Sequence, residues 1–303
     1  MPQDEGEGRA LAFRKLFGEG EGAEGSAEVD PPELDTRIST LTLRPGAEVS
    51  GRLVIRAGGT DLRIGETVLQ PVGRIHQPSG KLITDHVTFF HTSIIRFDVP
   101  AGTERQVPFT GRLPWYTPFT DFDGRALGVD FSLRTRIILD DGADTVLTDT
   151  DFLHVDPLPA VEAALDAFGE LGYLERYSHL VKDQIKDSES ISEDYQPVFL
   201  SDPSGGQADF PELELAFDTN AVGTICHLRA SAPDVFAWDD KPGTVWFPVA
   251  HHEAGKADVT ARAARALEEL AAFYRRHPKK ARRGGRGSGR ATRNPWPYDR
   301  IAT

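Results

Sequence analysis

Histidine, cysteine and carboxylate side chains are the groups in this chain that could hold a metal or move a proton, and their densest run is His251-His252-Glu253. His86 and His91 form a second, looser pair. A zinc site needs three or four ligands converging at about 2 Å from the ion. His251 and His252 end an alternating segment, where successive side chains point to opposite faces, so both reach one ion only across a bend. There is no HExxH pair to place two imidazoles on one helical face. The run reads as a surface loop, and a metal- or small-ligand-binding β-sandwich enzyme built on His86, His91, His251 and His252 is the alternative. No catalytic, cofactor or metal-ligating residue is assigned.

Nucleophilic chemistry finds little more. The single cysteine, Cys226, lies in an alternating stretch, Thr224-Ile225-Cys226-His227-Leu228, where it and His227 face apart. That placement predicts a buried, inert thiol. One cysteine also excludes an internal disulfide and a Cys-based metal cage. No GxSxG elbow occurs, and the glycine-rich stretches at 18–25 and 284–289 lack GK[ST] and do not join a strand to a helix.

Charge is distributed unevenly along the chain. The 303 residues carry 34 basic and 47 acidic side chains, a formal charge of −13. From Arg275 to Thr303 there are ten basic residues and one acid, so this end is +9 and the remainder is −22. The basic stretch contains Arg282, Arg283, Arg286, Arg290 and Arg293 and closes on Asn294-Pro295-Trp296-Pro297-Tyr298. Coulomb attraction and counterion release would suit it to nucleic acid, anionic lipid or an acidic partner. Equally, it reads as a solvated tail that keeps the chain soluble or folds back on the acidic body, and Trp296 and Tyr298 read as a terminal feature without function or as a proline-stiffened docking motif. Both ends are poor in apolar groups and are expected to be disordered. Near the beginning, Leu11, Phe13, Leu16 and Phe17 form a short apolar patch that would pack on the main body or graze a membrane. No apolar run approaches the roughly 20 residues of a spanning helix, and no basic-then-apolar leader opens the chain, so an intracellular protein is expected.

The elements that must position these groups are strands. Val49, Gly51, Leu53 and Ile55 alternate with polar neighbours, as do Ile95, Phe97 and Val99 and the longer series Val129, Phe131, Leu133, Thr135, Ile137 and Leu139. Period two with one apolar face marks half-buried antiparallel strands. Turns such as Arg44-Pro45-Gly46, Pro78-Ser79-Gly80 and Asp140-Asp141-Gly142 separate them, which points to a β-sandwich. Past Pro157 the period becomes helical through Val161, Leu165 and Phe168, with Pro159 suited to the helix start. Strand-like segments return at 196–200, 213–217, 224–228 and 244–249, after a polar run at 182–194 read as a loop. A closing helix from about Asp258 to His277 carries an apolar stripe of Val259, Ala263, Ala266, Leu267 and Leu270.

The order of these motifs resembles the sporulation-control protein M family, bacterial members of the arrestin-like clan. Phe13-Arg14-Lys15-Leu16-Phe17 is similar to the family's FKKL-type opening, and Leu34-Asp35-Thr36-Arg37-Ile38 to its VDT strand. The Arg44-Pro45-Gly46 turn, the strand 49–55, Gly58-Gly59 and Val107-Pro108-Phe109 follow in the family's order. Leu113-Pro114-Trp115-Tyr116-Thr117-Pro118 resembles its LPxxTP turn, the most specific piece. Val155-Asp156-Pro157-Leu158-Pro159 and the following helix resemble its interdomain segment, and Pro211–Phe217 its ELE-type strand. The likeness spans about Phe13 to Val249 and leaves out the acidic N-terminal insertion, the polar loop and the basic tail.

The resemblance implies an all-β chain of two tandem arrestin-like β-sandwich domains, with a short interdomain helix, a C-terminal helix and disordered charged ends. The expected division is an acidic segment 1–33 with a short apolar helix at 9–17, a first sandwich 34–157, the interdomain helix and second sandwich 158–255, a helix 256–277 and a basic tail 278–303. It also implies a cytoplasmic adaptor without catalysis, without a cofactor, that controls sporulation or cell differentiation and division through protein partners in that machinery. The candidate interaction residues are Arg282, Arg283, Arg286, Arg290, Arg293, Trp296 and Tyr298 of the tail.

Overall fold

The structure, a computed structural model, describes residues 30–277 except 40–41, 87–91, 144, 186–187, 189–191, 205–209, 232–242 and 256–257. The helix expected at 9–17 and the tail 278–303 lie outside the described residues.

Among the described residues ten strands precede the first helix: β1 (Glu33–Ile38), β2 (Glu48–Arg56), β3 (Leu62–His76), β4 (Leu82–His86), β5 (Thr92–Val99), β6 (Glu104–Arg112), β7 (Asp121–Phe122), β8 (Arg125–Ala126), β9 (Phe131–Leu139) and β10 (Val146–Phe152). One layer is the antiparallel sheet β1-β2-β6. The other runs β10-β9-β3, with β5 and β4 sharing the far side of β3, while β7 and β8 form a small hairpin. Inward residues of β2 (Val49, Leu53, Ile55) and β9 (Phe131, Leu133, Ile137) meet in one buried core. Two hydroxyls inside it satisfy one another, Thr36 Oγ1 donating to Thr135 Oγ1 at 2.8 Å. Gly51, also on the inward face, pairs with Phe109 across the ladder, and the Phe109 ring fills the place a Cβ would take.

β3 is the spine of the second layer. At fifteen residues it is long enough to take β5 against its first half and β4 against its second. Pro71, with no N–H to give, falls between the last β5 pair, Leu69–Thr92, and the first β4 pair, Val72–His86.

The second half contributes α1 (Pro159–Glu170), β11 (Leu174–Ser178), β12 (Leu180–Val181), β13 (Pro197–Ser201), β14 (Glu212–Thr219), β15 (Gly223–Ala230), β16 (Val245–Ala250) and α2 (Val259–Arg276). Pro159 occupies the first turn of α1, and Asp258 caps α2 by accepting from Ala261 N at 2.8 Å. β11, β13, β14, β15 and β16 make one antiparallel sheet. Among the described residues α1 and α2 cover one of its faces, burying Leu213, Leu215, Cys226, Leu228 and Phe247 against Phe168, Ala263 and Leu270. No described helix is long and apolar enough to cross a membrane.

The two halves are not loosely strung. A single buried apolar cluster runs from Leu53 and Phe131 through Leu43, Phe119 and Val155 to Leu213 and Leu270. β12 leaves the second half and adds in parallel to the end of β3, Leu180 beside Ile75 and Val181 beside His76. Continuous apolar burial resists sliding more strongly than the polar interfaces of mobile domains.

Candidate functional site

The groove between the halves is built on two turns that the sequence places far apart. Gly46 of the Arg44-Pro45-Gly46 turn has φ +78°, a left-handed conformation that glycine adopts without strain, and its N–H donates to Pro114 O at 3.2 Å. A Cβ there would collide with the Trp115 ring, so the indole packs directly against the glycine. Leu113 N donates to Ala47 O, Arg112 Nη1 donates to Gly46 O at 2.8 Å, and Thr117 Oγ1 donates to Pro114 O at 2.7 Å. The LPxxTP-type spacing is thereby explained. The first proline carbonyl takes both the Thr hydroxyl and the Thr N–H, which closes the turn and holds Trp115 and Tyr116 toward the groove.

The opposite wall comes from the second half. Tyr195, Gln196, Phe217 and Thr219 line it together with Trp115, Tyr116, Pro118 and Phe119, and Leu158, Leu180 and Ile185 are also in the lining. Gln196 spans the boundary by bonding both backbone groups of Phe119, and Ser178 N donates to Leu127 O at 2.7 Å. Ion pairs also cross it, among them Arg44–Glu162 at 3.0 Å and Arg125–Glu175 at 2.9 Å. Water-sized molecules find only about 50 Å³ of space in the groove, far below what encloses a metabolite. Trp115 nevertheless remains 37% exposed beside it. The shape suits a chain segment laid across an aromatic surface.

Behind Tyr195 stands a charged pair in the face of the second sheet turned away from the helices. Glu214 and Arg229, cross-strand partners, are both buried and bonded side chain to side chain. Arg229 Nη2 also donates to Tyr195 OH at 3.3 Å. Burial pushes the Tyr195 phenol up, with Arg229 working against it. His227 shares this face, and burial, with the Arg229 charge second, lowers it to about 4, so it is neutral at physiological pH.

At one end of the groove Lys182 gathers three carboxylates: Glu193 at 3.2 Å, Asp194 at 3.5 Å and, from β4 of the first half, Asp85 at 3.5 Å. Asp194 lines the groove with its side chain only 6% exposed, and its buried Oδ1 is the atom that faces Lys182. Burial raises Asp194 to about 7 despite Lys182, with Asp85 and Glu193 adding to the rise. Lys182 itself is raised, because its carboxylates outweigh the desolvation that would lower it.

The residues singled out by sequence do not assemble. Cys226 is fully buried on the helix-facing side of β15, its thiol pushed up by burial, while His227 lies on the other face. His251 and His252 open a single 3-10 turn, and His251 Nε2 lies 2.9 Å from Asn220 O. The backbone of His86 pairs with Val72, and His91 lies outside the described residues. Among the described residues no three His, Cys, Asp or Glu side chains are grouped to hold a metal. Arg282, Arg283, Arg286, Arg290, Arg293, Trp296 and Tyr298 lie outside the described residues. The groove itself escaped sequence reasoning, although its signal was present in the LPWYTP and RPG turns.

Among the described residues, layered antiparallel sheets with two helices define an all-β, arrestin-like fold. Residues 25–230 match the family described as SpoOM protein, and the chain belongs to that family. Its fold is similar to the crystal structure of Spo0M, a sporulation control protein from Bacillus subtilis, with a TM-score of 0.64 and 21% identity, over 81% of this chain and 99% of that one. No curated protein sequence matches the chain significantly.

Proposed function

We propose that this protein is a non-catalytic adaptor of the cytoplasm that controls sporulation or a related differentiation or division programme, and that it docks protein partners in the groove between its two halves. Family membership supports the programme. One observation carries the docking reading: Trp115 and Tyr116 are held at the groove by a network of turn hydrogen bonds, yet Trp115 stays exposed beside a space too shallow for a metabolite. Rigid, partly exposed aromatics in a pre-formed groove are what partner recognition uses. Lys182 and its carboxylates supply charge at the rim.

The test is complementation of a deletion strain of the native host with full-length variants. Trp115→Ala and Tyr116→Ala, checked for an intact unfolding transition, should cut the output of the differentiation programme by about tenfold or more, in line with truncated aromatic anchors. Phe152→Ala, at an exposed aromatic of β10, should complement fully. Full complementation by the folded groove variants would refute the docking role, and a deletion without phenotype would refute the programme.

A further inference from the structure

We infer that the segment docked in this groove is a proline-rich stretch of the partner in an extended polyproline conformation, with an arginine or lysine beside the prolines that meets the carboxylates around Lys182. The inference rests on the reading of the groove as a docking surface and adds the chemistry of its occupant.

Shape limits the conformation of that occupant. An α-helix with its side chains is about 10 Å across, and a groove that leaves water-sized molecules about 50 Å³ of space does not seat one. Strand addition needs a free sheet edge to supply ladder hydrogen bonds. The strands in the lining offer none: β14 is paired on both sides, by β13 and β15, and β12 lies between β3 and Tyr195. A polyproline helix needs neither depth nor a ladder, because it is recognised by aromatic rings along a shallow surface.

The lining supplies those rings and holds them in place. Phe119 and Phe217 meet edge to face across the boundary between the halves, with ring centroids 6.0 Å apart. The bonds from Thr117 to the Pro114 carbonyl fix the turn that carries Trp115 and Tyr116. Polyproline carbonyls make no internal hydrogen bonds, and an indole N–H such as that of Trp115 can only donate. With the rings set beforehand and the proline segment already stiff, binding orders little on either side.

Charge decides what accompanies the prolines. Lys182 serves Glu193, Asp194 and Asp85, and even with Asp194 protonated one ammonium is left with two carboxylates. Glu193 is exposed, so a guanidinium from outside can reach it with two parallel hydrogen bonds. The whole 182–194 run holds two lysines against five acidic residues, which repels an acidic segment. The cleft of about 300 Å³ between β16 and α2 has the opposite character: its lining sets Arg262 and Arg265 against Glu269 beside the exposed Trp246, and disfavours the same basic segment.

The experiment is fluorescence anisotropy on the full-length protein with labelled peptides of about ten residues, roughly 30 Å of polyproline helix. One is a Pro-Pro-Ala repeat ending in a pair of arginines, another the same repeat ending in a pair of glutamates, and the last an alanine-rich helical peptide ending in a pair of arginines. Only the first should bind saturably. Trp115→Ala should weaken it about tenfold or more, and Glu193→Arg, at an exposed position that does not endanger the fold, about fivefold or more. Salt at about 0.5 M should weaken it comparably, and Trp246→Ala should leave it unchanged. Equal binding of the glutamate or the helical peptide, binding that ignores both groove substitutions, or no saturable binding of the first peptide up to about 1 mM would overturn the inference. If it is overturned while folded Trp115→Ala still fails to complement, the partner segment has other chemistry and the docking reading stands. If Trp115→Ala complements, the docking reading itself is lost.

Discussion

Gln196 holds both backbone groups of Phe119 across the boundary between the two halves: Phe119 N donates to Gln196 Oε1 at 3.0 Å, and Gln196 Nε2 donates to Phe119 O at 2.8 Å. The same Nε2 reaches Ser178 Oγ at 3.0 Å. One side chain therefore joins the LPWYTP turn to β11 and β13. Gln196→Leu would leave a part-buried N–H and C=O of Phe119 without partners. The expected loss is about 2 to 3 kcal/mol of unfolding free energy, read from urea titration.

Gly46 and Trp115 are coupled through space. Gly46→Ala adds a methyl where the indole lies and forces a left-handed φ on a residue with a Cβ. The left-handed backbone alone costs about 1 to 2 kcal/mol, and the clash adds to it. In a Trp115→Ala background the clash disappears and only the backbone part should remain. A double-mutant cycle showing additive effects would contradict the packing of ring on glycine.

Glu214 and Arg229 stand together or fail separately. Glu214→Gln or Arg229→Met leaves the other charge buried and should lower stability by about 3 to 5 kcal/mol. The double variant Glu214→Leu with Arg229→Met should recover much of that loss in thermal unfolding. Arg229→Met also removes the hydrogen bond from Arg229 to the Tyr195 hydroxyl, so it should weaken partner binding in the groove even after the Glu214→Leu change restores stability.

Asp194 makes stability fall as pH rises. Its carboxyl titrates near 7 in the fold and at an ordinary 3.8 in the open chain, so the native state binds more protons between those values. The contribution is full below about pH 4, declines by up to about 1.4 kcal/mol per pH unit, and levels off above 7. Asp151, raised to about 6 by burial with Asp149 and Asp35 nearby, adds to the decline at its lower end. His227 acts oppositely, favouring the fold above its open-chain value of 6.5 and losing that contribution down to about pH 4. Asp194→Asn should therefore be less stabilised than the parent at pH 5 relative to pH 8. An unchanged difference between the two pH values would show that Asp194 is not held neutral by the fold.

Sequence reading succeeded where one face of an element meets water. β9 alternates cleanly because its outer face carries Arg134 and Arg136, and α2 shows its stripe because Arg and Glu fill the other side. β3 was invisible to the same rule. In its middle Val68, Leu69, Pro71 and Val72 carry burial to both faces, so alternation vanishes, and Pro71 and Gly73 imitate a turn. The opposed faces of Cys226 and His227 followed from strand period alone. What the sequence could not reveal was convergence: Gln196 on Phe119 is 77 positions away, and Lys182 reaches Asp85 from a different sheet edge. The polar run at 182–194 reads as plain loop because composition does not reveal that Lys182 pairs with Glu193 and Asp194 at the far end of the run and with Asp85 of β4.

The docking groove faces its hardest test in the native host, with p-benzoylphenylalanine in place of Tyr116 in the full-length protein and again in place of Phe152 as a remote control. If partners bind between the two halves, irradiation should trap a defined protein through position 116, lose it when Trp115→Ala is added, and trap none of it through position 152. The same protein trapped equally from both positions, or none trapped from 116 while differentiation proceeds normally, would contradict partner docking in this groove.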